Sequence, residues 1–312
     1  MPVRDDLDIL VAGCGTSQAA RHALRNPSSR VVGIDVSPSS IERTLELADR
    51  HGLDNLEVRE LPIEQVASLD RSFDHVVCTG VIHHLDDPDA GLRALRDVLS
   101  PTGALDLMVY APYGRTGVYM LQDYCRRLGV GTSPSEMADL KDSLRELPLA
   151  HPLSHLLRDT PDFRDDDAIA DALLNPRDRA YSVPQLFDLL AGAGLEFGRW
   201  IRQAPYLPTC GSPATIPHAE RLAAFGPADR YATMELFRGT ITRHSLIAHR
   251  DDDPDASKMV RVDDGPGPDD VPVVVPTVIS VEERLPPGSA AAVLNRAHEH
   301  PDLVLFLSLI HI

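Results

Sequence analysis

The chain has 312 residues, 43% of them apolar, and a net charge of −17 from 30 basic and 47 acidic side chains. The apolar fraction is enough for a packed core and excludes wholesale disorder, while the acidic balance repels a phosphate backbone and an anionic membrane surface. A neutral small molecule or a protein remains as a partner. Leu7–Ala12 is an apolar run that predicts a buried strand. Gly13-Cys14-Gly15-Thr16 behind it predicts a tight turn into a helix over Ser17–Arg25. A second apolar run, Val31–Ile34, ends in Asp35. A strand, a glycine turn, a helix and a strand tipped by a carboxylate present free backbone N–H groups to an anion and a carboxylate to ribose hydroxyls. The pattern points to an adenosine-bearing cofactor. Gln18 stands where a dinucleotide loop has its third glycine, which favours a cofactor with an amino-acid tail over one with a pyrophosphate.

Ser37-Pro38 starts the next helix, with Ile41, Leu45 and Ala48 on one face. Leu56–Leu61 reads as a third strand and Phe73–Thr79 as a fourth. The unbroken apolar stretch Val76-Val77-Cys78 suits a strand covered on both faces. Asp87-Pro88 caps a helix with the stripe Leu92, Leu95, Val98 and Leu99, Ser100–Gly103 reads as a turn, and Ala104–Tyr110 as a fifth strand. Residues 114–180 turn helical and polar, as an insertion above the sheet's carboxyl edge would. A helix from Ser182 to Leu190 and strands over Leu195–Ile201 and Thr240–His249 complete an α/β, Rossmann-like, seven-stranded and mostly parallel sheet. The expected organisation is a domain over 1–250, a Pro/Asp-rich linker over 251–288 and part of a truncated C-terminal unit over 289–306. The tail at 307–312 resembles the translation of a transposase-type sequencing adapter and is expected to be non-native. The four cysteines, Cys14, Cys78, Cys125 and Cys210, form no C-x-x-C pair. With no signal peptide and no membrane-length apolar run, a reducing cytoplasm is the expected compartment.

Val11–Thr16, Gly33–Ser37 and Phe73–Pro88, taken together, resemble the class I S-adenosylmethionine-dependent methyltransferases. The likeness is close over residues 7 to about 110. It continues more loosely, toward an uncharacterised bacterial branch, through Met108–Arg115, Gly117–Gln122, Arg179–Pro184 and Trp200–Pro208. The resemblance implies S-adenosylmethionine as cofactor. Ala12, Gly13, Cys14 and Gly15 would wrap its methionine part, Asp35 would take the ribose hydroxyls, and Val36 would pack on the adenine. Leu61, Pro62 and Ile63 would lie near the adenine, with Glu64 open to its amino group. Thr79, Gly80 and Val81 would sit beneath the sulfonium. Ser17 departs from the glycine usual in this loop.

His83 and His84 fall near the expected point of methyl transfer, where they serve either as a general base or as structural caps. Tyr110, Tyr113, Arg115, Tyr119 and Gln122 follow the fifth strand and form either an acceptor pocket or a buried aromatic face. Arg179, Tyr181, Arg202 and Tyr206 are further candidates. His151 and His155 have Pro152 between them and no third ligand in view, so no metal is expected. No Asn/Asp-Pro-Pro-Tyr tetrapeptide follows the fourth strand, which agrees with the charge in arguing against nucleic acid. The expected reaction is methyl transfer to an O, N or C atom of a small molecule. The rival readings are a catalytically inactive cofactor-binding module and an NAD(P)-dependent oxidoreductase, the latter without its Tyr-x-x-x-Lys pair.

Overall fold

A computed structural model describes residues 6–159, 163, 166–210 and 212–254. The expected linker beyond Pro254, the unit over 289–306 and the tail over 307–312 lie outside the described residues, as does the side chain of His155.

Seven strands form one sheet: β1 (Asp8–Ala12), β2 (Arg30–Asp35), β3 (Leu56–Glu60), β4 (Phe73–Thr79), β5 (Leu99–Tyr110), β6 (Leu195–Trp200) and β7 (Arg243–Arg250). Their order is β3-β2-β1-β4-β5-β7-β6. β7 runs antiparallel to both neighbours, and the other pairs are parallel. This is the α/β sheet that the alternation of elements predicts. The chain runs outward from β1 to β3 and then crosses back to β4. The order therefore reverses between β1 and β4, and the carboxyl ends of strands beside such a reversal open a crevice for ligand.

Ten helices flank and extend the sheet among the described residues. They are α1 (Gln18–Arg25), α2 (Pro38–His51), α3 (Pro88–Val98), α4 (Thr116–Leu128), α5 (Pro134–Arg145), α6 (Ser154–Asp159), α7 (Asp166–Leu174), α8 (Val183–Gly192), α9 (Ala219–Ala223) and α10 (Pro227–Arg238). Three share a cap-then-proline start, in which the side chains of Ser37, Asp87 and Ser133 accept from the backbone N–H three residues on. On one face of the sheet, Ile9, Val11, Val31 and Val77 pack with Ala19 and Ala23 of α1. On the other, Leu10, Ile34, Val76, Leu105 and Leu107 pack with Leu92 and Leu95 of α3 and Leu186 and Leu190 of α8. Each such leucine or isoleucine contributes about 1.5–3 kcal/mol by leaving water. Helices α4 to α7 close on a separate cluster that includes Val118, Leu121, Met137, Leu140, Ile169 and Leu173.

Two expectations are corrected. Ser100–Gly103 is not a turn before the fifth strand, because β5 already begins at Leu99. Its register against β4 passes from Phe73↔Leu99 to His75↔Ala104, so the surplus residues form an irregularity within the strand. A Cβ at Gly103 would come within 3.0 Å of the Phe73 and Asp74 carbonyls, which is why a glycine stands at this close approach. The apolar face of α2 is also less buried than its pattern predicts. Leu45 is exposed, and the buried residue of that helix is Thr44.

Candidate functional site

The loop between β1 and α1 is built by its glycines. Gly13 and Gly15 hold φ at +68° and +54°, in the left-handed region that a Cβ disfavours. At Gly13 a Cβ would also meet the Val81 side chain at 2.3 Å, so Val81 packs directly on the loop backbone. The N–H groups of Gly13 and Cys14 both donate to the Ile34 carbonyl, at 2.8 and 2.9 Å. The Gly15 N–H donates to Oδ2 of Asp35 at 2.8 Å. The sequence pattern predicts free N–H groups facing an anion, and for these three residues the structure corrects it. The loop closes onto the end of β2 instead of opening as a phosphate cradle. The side chains of Ala12 and Cys14 are buried, so these residues offer the site their backbone alone.

Asp35 is the organising residue of this end. Its Oδ1 accepts from the Ser37 N–H at 2.9 Å while Oδ2 holds Gly15. Each oxygen keeps a further lone pair for a hydroxyl donor. Beside it, Val36 is 66% exposed, an apolar side chain left open to solvent. The Leu61 N–H donates to the Asp35 carbonyl at 2.9 Å, which brings the end of β3 alongside. Leu61 and Pro62 are half-buried, whereas Ile63 turns into the core with Ile34 and Val66, and Glu64 is exposed. Thr44 donates its hydroxyl to the Gly15 carbonyl at 2.9 Å, so α2 braces the loop from behind.

Across the crevice, Gln18 at the start of α1 donates through Nε2 to the Thr79 hydroxyl at the end of β4. Gly80 follows with φ +82° and donates its N–H to the Met108 carbonyl at 3.2 Å. The chain then makes a short 3-10 turn over Ile82–His84.

That turn delivers His83 and His84 into a buried polar cluster. His83 is fully buried, its ring centroid 4.2 Å from those of both His84 and Tyr110. Neither of its ring nitrogens has a hydrogen-bond partner. Burial, helped by His84 and Arg115, pushes its pKa down to about 3, so the ring is neutral at physiological pH. Arg115, 2% exposed, lies over the Tyr110 ring at 3.6 Å, a cation–π contact, with Nη2 3.7 Å from Oδ2 of Asp178. Gln122 donates from Nε2 to the same Asp178 oxygen at 2.9 Å and to the Ala172 carbonyl at 2.9 Å. Nδ1 of His84 lies 3.2 Å from Nδ2 of Asn175. Burial, reinforced by the Asp178 charge, keeps the Tyr119 phenol well above its ordinary pKa and protonated.

The structure therefore gathers His83, His84, Tyr110, Arg115 and Gln122 at the carboxyl edge of β4 and β5, beneath α4 and α7. Tyr113 is 42% exposed in the turn that follows β5. Tyr206 belongs to the core, stacked at 3.9 Å on Trp200 and hydrogen-bonded to His244 at 2.7 Å. Arg179 reaches the site by its backbone, donating to the His83 carbonyl at 3.3 Å. Asp178, Asn175 and Thr44 are missed by sequence reasoning. Asp178 and Asn175 sit in an acidic, helical stretch with no spacing to link them to His84, and Thr44 lies between apolar positions that look like the buried ones. A surface groove lined by Ile216, Leu222, Phe225 and Phe237 lies on α9, α10 and their approach and shares no residue with this edge.

Comparison with known proteins bears on this edge. A family described as a methyltransferase domain matches residues 10–105. An uncharacterised protein of Synechococcus sp. is 31% identical over 255 residues, which are 78% of this chain and 60% of that one. A ubiquinone biosynthesis O-methyltransferase of Neisseria meningitidis is 30% identical over 96 residues, which are 30% of this chain and 40% of the enzyme. The chain thus spans about half the length of these curated relatives. Among solved structures, PKMT2 from Rickettsia typhi in complex with AdoHcy superposes with a TM-score of 0.64 at 19% identity, over 81% of this chain and 51% of that one. That likeness is one of fold.

Proposed function

We propose that this chain, whose residues 10–105 match a methyltransferase domain, is a class I S-adenosylmethionine-dependent methyltransferase that transfers the methyl group of S-adenosylmethionine to a small-molecule acceptor. The observation that carries the reading is the closed glycine loop. Its N–H groups are committed to Ile34 and Asp35, which suits a cofactor with a zwitterionic amino-acid tail and leaves no open cradle for a pyrophosphate. The residues present fit the cofactor. Val81 packs on a glycine that admits no side chain, Asp35 keeps acceptor capacity for two vicinal hydroxyls, and Val36 offers an apolar face beside it. When bound, S-adenosylmethionine supplies an electrophilic methyl on a sulfonium.

The work left to the protein is alignment, exclusion of water and removal of the acceptor's proton. Gln18 and Thr79 tie the two sides of the crevice together and fix where the donor lies. His84, half-buried and steadied by Asn175, is the better-placed base of the two histidines. His83 packs behind it. Arg115, held by Tyr110 and Asp178, sets a positive field toward an acceptor oxygen as its charge develops. The acidic balance of the chain supports a small acceptor over a nucleic acid.

The test is calorimetric titration of the chain with S-adenosylhomocysteine, with NADH as control. We expect micromolar binding that falls at least ten-fold in Asp35→Ala and less in Asp35→Asn, whose amide oxygen still supports the loop. Binding of NADH in place of S-adenosylhomocysteine would overturn the reading. Binding followed by no turnover across phenolic, amine and carboxylate acceptors would favour a non-catalytic cofactor-binding module.

A further inference from the structure

We propose that His83, His84 and Asp178 form a binding site for a divalent transition-metal ion at the acceptor end of the cluster. One ligating atom from each lies within 4.8 Å of those of the other two, although the histidines come from the turn after β4 and the aspartate from the segment after α7. The inference adds an ion to the site of the proposed methyl transfer, and its use there rests on that reading.

Two unpartnered groups and one oriented ring point to a ligand. His83 is fully buried, yet both of its nitrogens lack hydrogen-bond partners. A buried polar group left this way costs about 1–3 kcal/mol and calls for an explanation. Asp178 has its Oδ2 oriented by Gln122 and Arg115, while its buried Oδ1 has no hydrogen-bond partner. One oxygen fixed by a neighbour and the other turned free is how metal-ligating carboxylates are held. His84, finally, is oriented by Asn175, whose Nδ2 lies 3.2 Å from Nδ1 of the ring while its Oδ1 accepts from the Arg177 N–H.

The donor set decides the kind of ion. Two imidazoles and one carboxylate suit Zn²⁺, Co²⁺, Ni²⁺ or Fe²⁺ and fit Mg²⁺ or Ca²⁺ poorly. The Arg115 charge opposes a cation, but it is turned onto the Tyr110 ring and Oδ2 of Asp178. Three protein ligands leave a coordination position open. With the ion bound, His84 would serve as a ligand instead of as the base, and an acceptor oxygen entering the open position would lose its proton to solvent at lower pH and be held against the methyl donor. The acceptor class this implies carries a hydroxyl.

The test uses the full chain, stripped with chelator and titrated with Co²⁺ alone. The readouts are d–d absorption and metal content after dialysis. We expect one equivalent retained, with affinity falling at least ten-fold in D178N and in H84Q, and unchanged in H51Q, which alters an exposed histidine. Each sample is also titrated with S-adenosylhomocysteine and checked by circular dichroism. Retention of S-adenosylhomocysteine binding without Co²⁺ uptake overturns the metal site and leaves the methyltransferase reading intact. Co²⁺ uptake unchanged in both folded variants overturns it equally. Co²⁺ uptake without S-adenosylhomocysteine binding supports the ion and removes its proposed use.

Discussion

Asp106 shows how a single side chain at the centre of this sheet affects stability as pH changes. It lies on β5, with Oδ1 buried and without a hydrogen-bond partner. Burial raises its pKa from 3.8 to about 6, against a smaller opposing effect of Arg199. The folded state therefore binds more protons than the unfolded state between those two values, and stability falls as pH rises through that window. Above it the full penalty applies, on the order of 1–3 kcal/mol once solvent screening is allowed for. Asp106→Asn should accordingly raise the urea midpoint at pH 7.5 and bring little gain near pH 4. Equal gains at both pH values would refute the burial account. Burial rather than residue type sets this behaviour, since the many exposed carboxylates of this chain lie in water.

At the scale of the element, the β1–α1 loop depends on contact with the turn after β4. Gly13→Ala places a Cβ at 2.3 Å from Val81 and strains a φ of +68°. The expected cost is about 1–3 kcal/mol in stability, with weakened S-adenosylhomocysteine binding. Adding Val81→Ala should recover the steric part and leave the φ strain, so the double mutant should be less damaged than the sum of the singles. Strict additivity in chemical denaturation would show that the two residues do not press on one another. The glycine turn and its carboxylate partner are legible in the sequence because both are local patterns. That Val81 is the surface against Gly13 is not legible, since no spacing connects the end of β4 to the loop after β1.

For the whole molecule, the described residues divide into the sheet with its covering helices and the cluster under α4 to α7. Leu140 belongs to the second and is 3% exposed. Leu140→Ala should cost about 2–5 kcal/mol locally. Hydrogen exchange should then quicken in α4 to α7 before it does in β1, β4 and β5. Uniform acceleration across the chain would mean that the two clusters open as one. The arrangement matters for function because α4 and the segment after α7 supply Arg115, Gln122, Asn175 and Asp178, while the sheet supplies His83, His84 and Tyr110. Loosening the helices should therefore disturb the acceptor end and spare binding at Asp35. No helix among the described residues is long and apolar enough to cross a membrane.

The sequence by itself determined the parallel sheet, the glycine loop after β1 and the carboxylate at the tip of β2, because apolar period, glycine turns and cap-proline starts are encoded within a few residues of one another. It also put His83 and His84 at the end of a strand, where a chemical role is natural. Only the tertiary structure decided which way the loop N–H groups turn, that Thr44 rather than Leu45 is the buried face of α2, and that Tyr206 is core. It alone brought Asp178 and Asn175 to the two histidines. Those outcomes depend on contacts between distant segments, where burial and competition for hydrogen-bond partners decide, and neither is written in residue spacing.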